Sequence, residues 1–459
     1  FKQWAHHEKL IYPLAEVVSL LAGEKDAGTK PMFRSGLFWT GFCIAAGILG
    51  WNYLATDGII TNIKPVKLET LWNTYVGSGA LRGLGSTYFC VIFAVIGVSF
   101  LVPAKISFSL WFFEVLYMGL LLVMVWLGHG NDRWSLHNVG RSGLGAGAMM
   151  IFGCTILWTC RQYLLCVFKP GVLRGVPADE AKELRISSAL FLGGSLALML
   201  VLAYGFGANL FFVFIFYLII MTMMIALVRA VAEGGVLGIQ SSAGALGIMR
   251  TIFGMSGGWC APALVAPLLV FNAVLFGAFR AFIAPMMANA LKVREEFRMR
   301  RLYFHGAIWV GILVATLVSS VTLILLSYQY GADNLHAWLN TANGKGTFDG
   351  VKSWVETFGP GKVSERWWML AGAFLMGGLL FGRQRFFGMP HPIGLLMIMN
   401  PNMFGYWGSI LIGWGCKNVV SKYCSHEQYV SVRRFFIGLI IGHLVAVLFG
   451  WDPLKFHWG

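Results

Sequence analysis

The chain has 459 residues, of which 57% are hydrophobic and only 12% are charged, and its formal net charge is +15. Soluble domains carry about 25% charged residues, so this composition excludes a soluble globular protein. Many uncharged runs reach the roughly 20 residues that a helix needs to cross a bilayer, and the ~10-residue alternating segments of a membrane β-barrel are absent. The predicted fold class is therefore an all-α polytopic membrane protein.

The first 33 residues predict an amphipathic cytoplasmic segment that begins with Phe1 rather than Met. Its polar start, FKQWAHHEKLIYPLAEV, lacks the features of a signal peptide. We therefore expect this chain to be the later part of a longer or processed polypeptide. His6 and His7 are adjacent and do not share a helical face, so no metal site is expected there.

Twelve apolar segments follow, and they predict 11 to 13 transmembrane segments, two of them broken or re-entrant. We divide the chain into the N-terminal segment 1–33, a first helical bundle 34–328, an external loop 329–366 and C-terminal helices 367–459. Two of the segments, 236–256 and 391–415, are poor helices. The full set is 35–53, 85–103, 106–127, 144–166, 186–206, 209–228, 236–256, 259–283, 304–328, 367–384, 391–415 and 432–450.

Lysine and arginine residues predict the orientation of these segments. Residues 161–185 and 292–301 each hold five bases, which places both loops and the N-terminal segment in the cytoplasm. The positive charge is then explained by topology and by anionic lipid headgroups, and nucleic acid is not expected as a partner. The loop 329–366 faces outward. Its spacing of apolar residues predicts a short helix, either lying in the membrane interface or packed on its own protein: Phe348, Val351, Trp354, Val355 and Phe358.

The first broken segment follows the stretch LVRAVAEGG, in which Arg229 and Glu233 are four residues apart and can pair on one helical face. Intramembrane charges are tolerated when they are paired and face protein or water. The pair either ends the sixth helix at the edge of a polar cavity or is a structural ion pair at the cytoplasmic membrane edge. The glycine-rich run beyond it weakens the helix, so this segment is packed tightly against its neighbours through small residues, or broken around a site, or both. Packing alone does not explain its polar side chains, which supply hydrogen-bonding groups for a substrate: Gln240, Ser241 and Ser242.

The second broken segment is HPIGLLMIMNPNMFGYWGSILIGWGCK, where Pro401 removes a helical hydrogen bond. Asn400 and Asn402 flank it and can bond the freed backbone, so both are candidate substrate contacts. Paired interrupted segments are the best indication in a sequence of a transporter's binding site, and the alternative is an ordinary proline kink. A hairpin here would return Lys417 and Lys422 to the cytoplasm, which fits the charge rule better than a single crossing.

Single polar residues occur in other segments. Glu114 is either a proton carrier or the structural partner of an arginine, and it must face the interior of the bundle. His443 is interpreted as a hydrogen-bonded core residue rather than a ligand. The eight cysteines include no C-x-x-C motif, although Cys416 and Cys424 flank a loop and could pair. The sequence has no P-loop, H-E-x-x-H or G-x-S-x-G motif, so we expect neither an enzyme nor a cofactor or bound metal.

Several elements resemble an uncharacterised bacterial membrane-protein family found in planctomycetes and their relatives. WAHHEKLIYPLAEV is similar to the W-x-x-x-E-[KR]-L-x-[FY]-P-L element of that family. ISFSLWFF (106–113), RAVAEGG (229–235) and HPIGL (391–395) resemble later elements, in the same order. The family looks distantly related to the oligopeptide transporter superfamily, which includes the yellow stripe-like metal-chelate transporters. The resemblance implies an oligopeptide-transporter-like fold and, by analogy, secondary transport of peptides or metal chelates.

The sequence thus predicts a secondary active transporter in the bacterial inner membrane, coupled to protons, for a small solute of peptide or metal-chelate type. Glu233 and Glu114 are the candidates for proton or cation handling, and we expect the two broken segments to meet near the midplane. The alternative is a non-transporting structural subunit of a larger membrane complex. The expected partners are the bilayer, the small-molecule substrate, and further copies of the chain or other membrane subunits.

Overall fold

The structure is a computed structural model, and it describes most of the chain. The described residues are 1, 3–21, 32–56, 60, 64–71, 88–129, 133–168, 178–235, 244–254, 265, 267–269, 272, 283–335, 345–346, 348–349, 352, 356, 363–400 and 402–449. Several predictions fall outside this part of the chain, namely those for Gln240, Ser241, Ser242, Pro401, Val351, Trp354, Val355 and Phe358.

The described part of the chain is mostly helical. Its helices are α1 (Pro13–Leu21), α2 (Gly36–Thr56), α3 (Phe93–Leu101), α4 (Ala104–Met124), α5 (Arg133–Thr159), α6 (Arg161–Phe168), α7 (Ala178–Leu200), α8 (Leu210–Gly234), α9 (Ala245–Phe253), α10 (Ile283–Glu296), α11 (Arg301–Tyr330), α12 (Val363–Arg385), α13 (Pro392–Met397), α14 (Met403–Tyr423) and α15 (His426–Leu448). Short helical turns lie at Gln3–His7, Met32–Arg34, Val125–His129, Val201–Gly205 and Ala332–Asn334.

Seven stretches of helix in this part of the chain are long and apolar enough to cross a membrane. They are Gly36–Ala55, Ala104–Gly128, Gly140–Thr159, Leu184–Gly205, Leu210–Gly234, Arg301–Tyr330 and His426–Leu448. The described part of the chain is therefore consistent with the helical polytopic membrane protein that its composition predicted.

Glycines allow the main helices to approach closely. The Cα of Gly438 in α15 lies against the carbonyl of Phe38 in α2, and the Cα of Gly372 in α12 lies against the carbonyl of Leu144 in α5. A methyl group at either position would clash with backbone atoms. Small residues are the usual contact residues between membrane helices, because lipid supplies no hydrophobic force that drives helices together.

The predicted apolar segment 85–103 is not a single helix, which corrects the prediction. It contains a short strand, β2 (Tyr88–Cys90), which pairs antiparallel with β1 (Glu69–Leu71), and then the nine-residue α3. The Ser409 hydroxyl in α14 accepts the Ile92 N–H at 2.8 Å and donates to the Cys90 carbonyl at 2.7 Å. A side chain distant in sequence thus satisfies backbone groups where the strand ends and the helix begins.

The second broken segment forms a helical hairpin made of α13 and α14, and the helix is interrupted between Met397 and Met403 as predicted. The arm α13 runs along α4 in the same direction, with His391 beside Ser109 and Gly394 against Ser109 and Phe113. The arm α14 returns antiparallel to α4.

Two contacts fix this reversal. The Trp414 ring lies 5.3 Å from the Trp111 ring, and Lys417 Nζ donates to the Val102 carbonyl at 2.8 Å, just before α4 begins. Of the two alternatives for this segment, a kink and a hairpin, the structure has the hairpin. We call the region of His391 its base and Asn400 with Asn402 its tip.

The N-terminal segment packs across the end of the bundle that holds the base of the hairpin. His6 Nε2 lies 2.7 Å from Glu295 Oε1 in α10, and Arg433 Nη1 in α15 donates to Glu16 Oε1 in α1 at 3.2 Å. α8 ends in this region at Gly235, whose left-handed φ of 59° closes the helix. Pro13 packs directly on Gly235, so a side chain there would be excluded by both conformation and space.

Of three other predictions, one has a clear outcome and two fall largely outside the described part of the chain. Cys416 and Cys424 are both free thiols, so the possible disulfide is absent. In the first broken segment α9 is helical, its Leu246 N–H donates to Asn272 Oδ1 at 3.3 Å, and residues 236–243 lie outside the described part. Phe348 is exposed, while most of its predicted interfacial helix also lies outside.

Candidate functional site

The base of the hairpin is tied to the end of α8 by a carboxylate. Glu233 Oε1 lies 2.9 Å from His391 Nε2, and Glu233 Oε2 accepts from Arg229 Nε at 2.9 Å. The His391 backbone N–H donates to Ser109 Oγ at 2.6 Å, which anchors the same residue to α4. Glu233 therefore connects its own helix to the entry of the hairpin, in addition to pairing with Arg229 as its spacing predicted.

The hydrogen bonds of His391 define its tautomer. Nδ1 accepts the backbone N–H of Ile393 at 3.3 Å, in the position of an N-cap for α13. A nitrogen that accepts a hydrogen bond carries no proton, so a neutral imidazole has its proton on Nε2 and donates it to Glu233. Protonation of Nδ1 would break the cap on α13, so the charge of His391 is linked to the start of the hairpin helix.

A second carboxylate extends this network to the N-terminal segment. Arg229 Nη1 donates to Glu8 Oε2, and the Trp4 ring centroid lies 5.5 Å from the Arg229 guanidinium. Arg229 thus holds two carboxylates from different parts of the chain. Nearby Tyr12 is fully buried, and burial raises the pKa of its hydroxyl to about 12. The network crosses the N-terminal segment, α8 and α13 in the order Glu8, Arg229, Glu233, His391.

The tip of the hairpin meets a second and more deeply buried ion pair. Arg141 Nη2 in α5 lies 2.5 Å from Glu114 Oε1 in α4, and each residue is only 1% exposed. Arg141 Nη1 donates to the Asn400 backbone carbonyl at 2.9 Å. Two spanning helices and the hairpin therefore converge on one guanidinium.

Two aromatic rings lie against the charged guanidinium of this ion pair. The Arg141 guanidinium lies 3.6 Å from the Phe404 ring centroid and 4.9 Å from the Tyr117 ring centroid. Among the described residues, neither Arg141 Nε nor Glu114 Oε2 has a hydrogen-bond partner, although both atoms are buried. The pair is thus a single hydrogen bond rather than the two-pronged contact that arginine and carboxylate can form.

The structure separates the predicted site residues into two groups. Arg229 and Glu233 lie at the base of the hairpin, whereas Glu114 lies at its tip. Asn400 contributes its backbone carbonyl to Arg141, and its side-chain Oδ1 accepts the Asn402 N–H at 3.1 Å. Asn402 thus serves the turn itself, while Gln240, Ser241 and Ser242 lie outside the described residues, so their predicted role stays a prediction.

The described part of the first broken segment contacts a different helix. Arg250 in α9 pairs with Glu365 in α12 at 3.0 Å, and Arg366 donates to the Thr251 carbonyl at 2.8 Å. The predicted meeting of the two broken segments depends on residues 236–243 and stays a prediction.

Sequence reasoning missed Arg141, His391 and Glu8 as site residues. A signal for Arg141 was present, because it is the first base inside the α5 apolar span and Glu114 is the acid of the neighbouring α4 span. Two opposite charges on consecutive spans are expected to pair. His391 and Glu8 gave no such signal, because their partners lie 158 and 221 residues away in the chain.

Metal binding has no support among the residues that the structure describes, where no group of three His, Cys, Asp or Glu side chains could hold an ion.

His443 in α15 is only 8% exposed, so it is a core residue, as interpreted from the sequence.

Comparison with known proteins gives a family but no activity. Residues 1–458 match the model of a family of unknown function, DUF6785. The chain belongs to this family. No curated protein matches it. The DUF6785 match therefore covers both ion pairs and the whole hairpin without assigning a role to any of them.

Proposed function

We propose that this DUF6785 protein is a secondary active transporter of a small solute. The observation that carries the proposal is the hairpin, whose tip reverses direction beside the fully buried Arg141–Glu114 pair. Interrupted helices that end near charged groups in the bundle interior are characteristic of transporter binding sites. Buried intramembrane charges are costly, and they are typical of substrate and ion pathways.

The membrane orientation is part of this proposal. The base of the hairpin shares an end of the bundle with the N-terminal segment and with the basic run Lys292–Arg301. The positive-inside rule places this end in the cytoplasm, so the hairpin would enter the membrane from the cytoplasmic side and return there. We propose 11 to 13 membrane segments arranged as in the oligopeptide transporters, in the inner membrane of a bacterium, and a substrate of peptide or metal-chelate type.

Proton coupling is proposed at the base of the hairpin. Glu233 contacts both Arg229 and His391, so a change in its charge acts on α8 and on α13 at once. The helix α13 is short, and the Asn400 carbonyl that follows it accepts a hydrogen bond from Arg141. A displacement at the base of the hairpin would therefore reach the buried ion pair. This supports Glu233 as one coupling residue and α13 as the element that connects it to the buried ion pair.

The second candidate function, a structural subunit of a larger complex, is favoured by α11. This helix is 30 residues long and none of its residues is buried. Within the described part of the chain its contacts are few, such as that of Phe304 with Arg294 in α10, so most of its apolar surface is available to another membrane protein.

The test is uptake by the purified full chain in proteoliposomes with an imposed pH gradient. The external solutes are a dipeptide mixture and, separately, ferric and zinc chelates, and a pH-sensitive dye inside the vesicles reports proton movement. We expect solute-dependent proton entry that Glu233→Gln abolishes and Glu8→Gln preserves, because Glu8 contacts Arg229 and not His391. Absence of any solute-dependent proton movement, with a membrane partner that co-purifies through α11, would favour the structural subunit.

A further inference from the structure

The buried pair at the hairpin tip leaves hydrogen-bonding capacity unused. Arg141 carries five N–H groups, of which one donates to Glu114 and one to the Asn400 carbonyl, and its side chain also hydrogen-bonds the Tyr117 hydroxyl. Among the described residues Arg141 Nε has no acceptor and Glu114 Oε2 has no donor, although both are inaccessible to solvent. Buried polar atoms without partners are unfavourable, so this arrangement is a poor choice for a pair whose only role is structural.

The surroundings of Arg141 restrict what else it can bind. The Phe404 and Tyr117 rings contact its guanidinium, so its remaining capacity lies along the N–H edge. A planar edge of parallel N–H groups matches a group with two coplanar oxygens, which is a carboxylate. Glu114 already occupies this edge with one oxygen.

Resting on the proposed transport function, we propose that Arg141 binds a carboxylate group of the transported solute and that Glu114 takes this place when the site is empty. The site would therefore select small organic anions with a free carboxylate. Glu114 acts as an internal substitute that keeps the buried cation paired between transport cycles.

Charge balance gives the proton a place in this exchange. The Arg141–Glu114 pair is neutral, and a bound carboxylate would add one negative charge to a buried centre. One proton taken up by Glu114 restores neutrality, because the solute carboxylate then pairs with Arg141 while the protonated Glu114 turns away. The groups that face Glu114 are Arg141 from α5 and Tyr117 from α4, and the hairpin contributes the Asn400 carbonyl and the Phe404 ring, which do not titrate.

The test is chemical rescue of Glu114→Ala in the full chain, with propionate as the probe and thermal unfolding in lipid nanodiscs as the readout. We expect a saturable rise in the melting temperature with propionate. Propionate should bind at least about tenfold more tightly than propionamide, because a charge-assisted hydrogen bond is worth at least that factor. Sodium chloride at equal ionic strength is the control for screening, and the rescue should vanish in the double variant with Arg141→Met.

A second variant and a wild-type titration test the proposal if Glu114→Ala does not fold. Glu114→Gln keeps the shape of the side chain and is measured with the same probe. If both variants fail to fold, the wild-type chain is titrated with propionate at pH 5 and pH 8, and a rise at pH 5 alone is expected. The proposal is overturned if a folded Glu114→Ala or Glu114→Gln protein is not stabilised by propionate. It is also overturned if propionate shifts the melting temperature of the wild type equally at both pH values, or at neither. Proteoliposome uptake that remains proton-dependent in that case would leave the transport function standing, so the two failures are distinguishable.

Discussion

The two buried carboxylates, Glu233 and Glu114, should differ in what they contribute to stability. In Glu233→Gln the amide keeps one acceptor oxygen, so one of the contacts to Arg229 and His391 is lost and the other is retained. Arg229 also keeps Glu8 as a counter-ion. We therefore expect a loss of about 1.5–3 kcal/mol in the free energy of unfolding, which is the value of one hydrogen bond to a charged group.

Glu114→Gln should cost more, because Glu114 is the carboxylate paired with Arg141 and both residues are only 1% exposed. Removing one partner of such a pair leaves a buried charge uncompensated and costs about 3–5 kcal/mol.

The assay for both variants is reversible unfolding in mixed micelles, followed by circular dichroism as the mole fraction of a denaturing detergent rises. Glu8→Gln is the matched control for Glu233→Gln, because it removes the other carboxylate on Arg229 and leaves the contact with His391 in place. If Glu233→Gln destabilises the protein as much as Glu114→Gln, or more, the prediction is wrong, because Glu8 would then have no effect as the second counter-ion of Arg229.

Three further predictions follow from packing, burial and charge. Gly372→Ala places a methyl group against the Leu144 carbonyl and should lower the free energy of unfolding by about 1–3 kcal/mol in the same assay. Gly378 has open space around it, so Gly378→Ala should not lower the free energy of unfolding. Equal losses in the two variants would contradict the close helix contact. Tyr12→Phe removes a buried hydroxyl without a partner among the described residues, so thermal unfolding should show equal or greater stability than wild type. Burial raises the pKa of Tyr12 to about 12. As the pH rises from the ordinary pKa of tyrosine through 12, the wild type should therefore lose stability relative to Tyr12→Phe. Unchanged stability of the two proteins relative to each other across this pH range would contradict the prediction. In a cysteine-free background, Ala332→Cys should react with a membrane-impermeant maleimide on intact cells and Arg298→Cys should not; the reverse pattern would invert the proposed orientation.

The sequence alone determined the second interruption and located the seven long apolar helices, but it wrongly predicted a single span at 85–103. Long uncharged runs must be helical in lipid, because the backbone there has to satisfy its own hydrogen bonds. The same rule makes Pro401 and its flanking asparagines visible as a break, since they interrupt that local pattern. Arg229 and Glu233 could be paired from sequence because four residues place both side chains on one helical face.

Only the tertiary structure decided which distant groups meet. Glu114 and Arg141 pair because α4 and α5 lie side by side, and Glu233 reaches His391 because the hairpin base lies at the end of α8. The choice between a kink and a hairpin also depended on how α14 packs on α4, through contacts such as that between Trp414 and Trp111. Apolar periodicity shows that a helix has neighbours but not which helices they are, because lipid and protein present similar surfaces to an apolar side chain. The sequence pointed to Glu114 and Glu233 one at a time, and only the tertiary structure shows that α13 and the tip of the hairpin lie between the two charged centres.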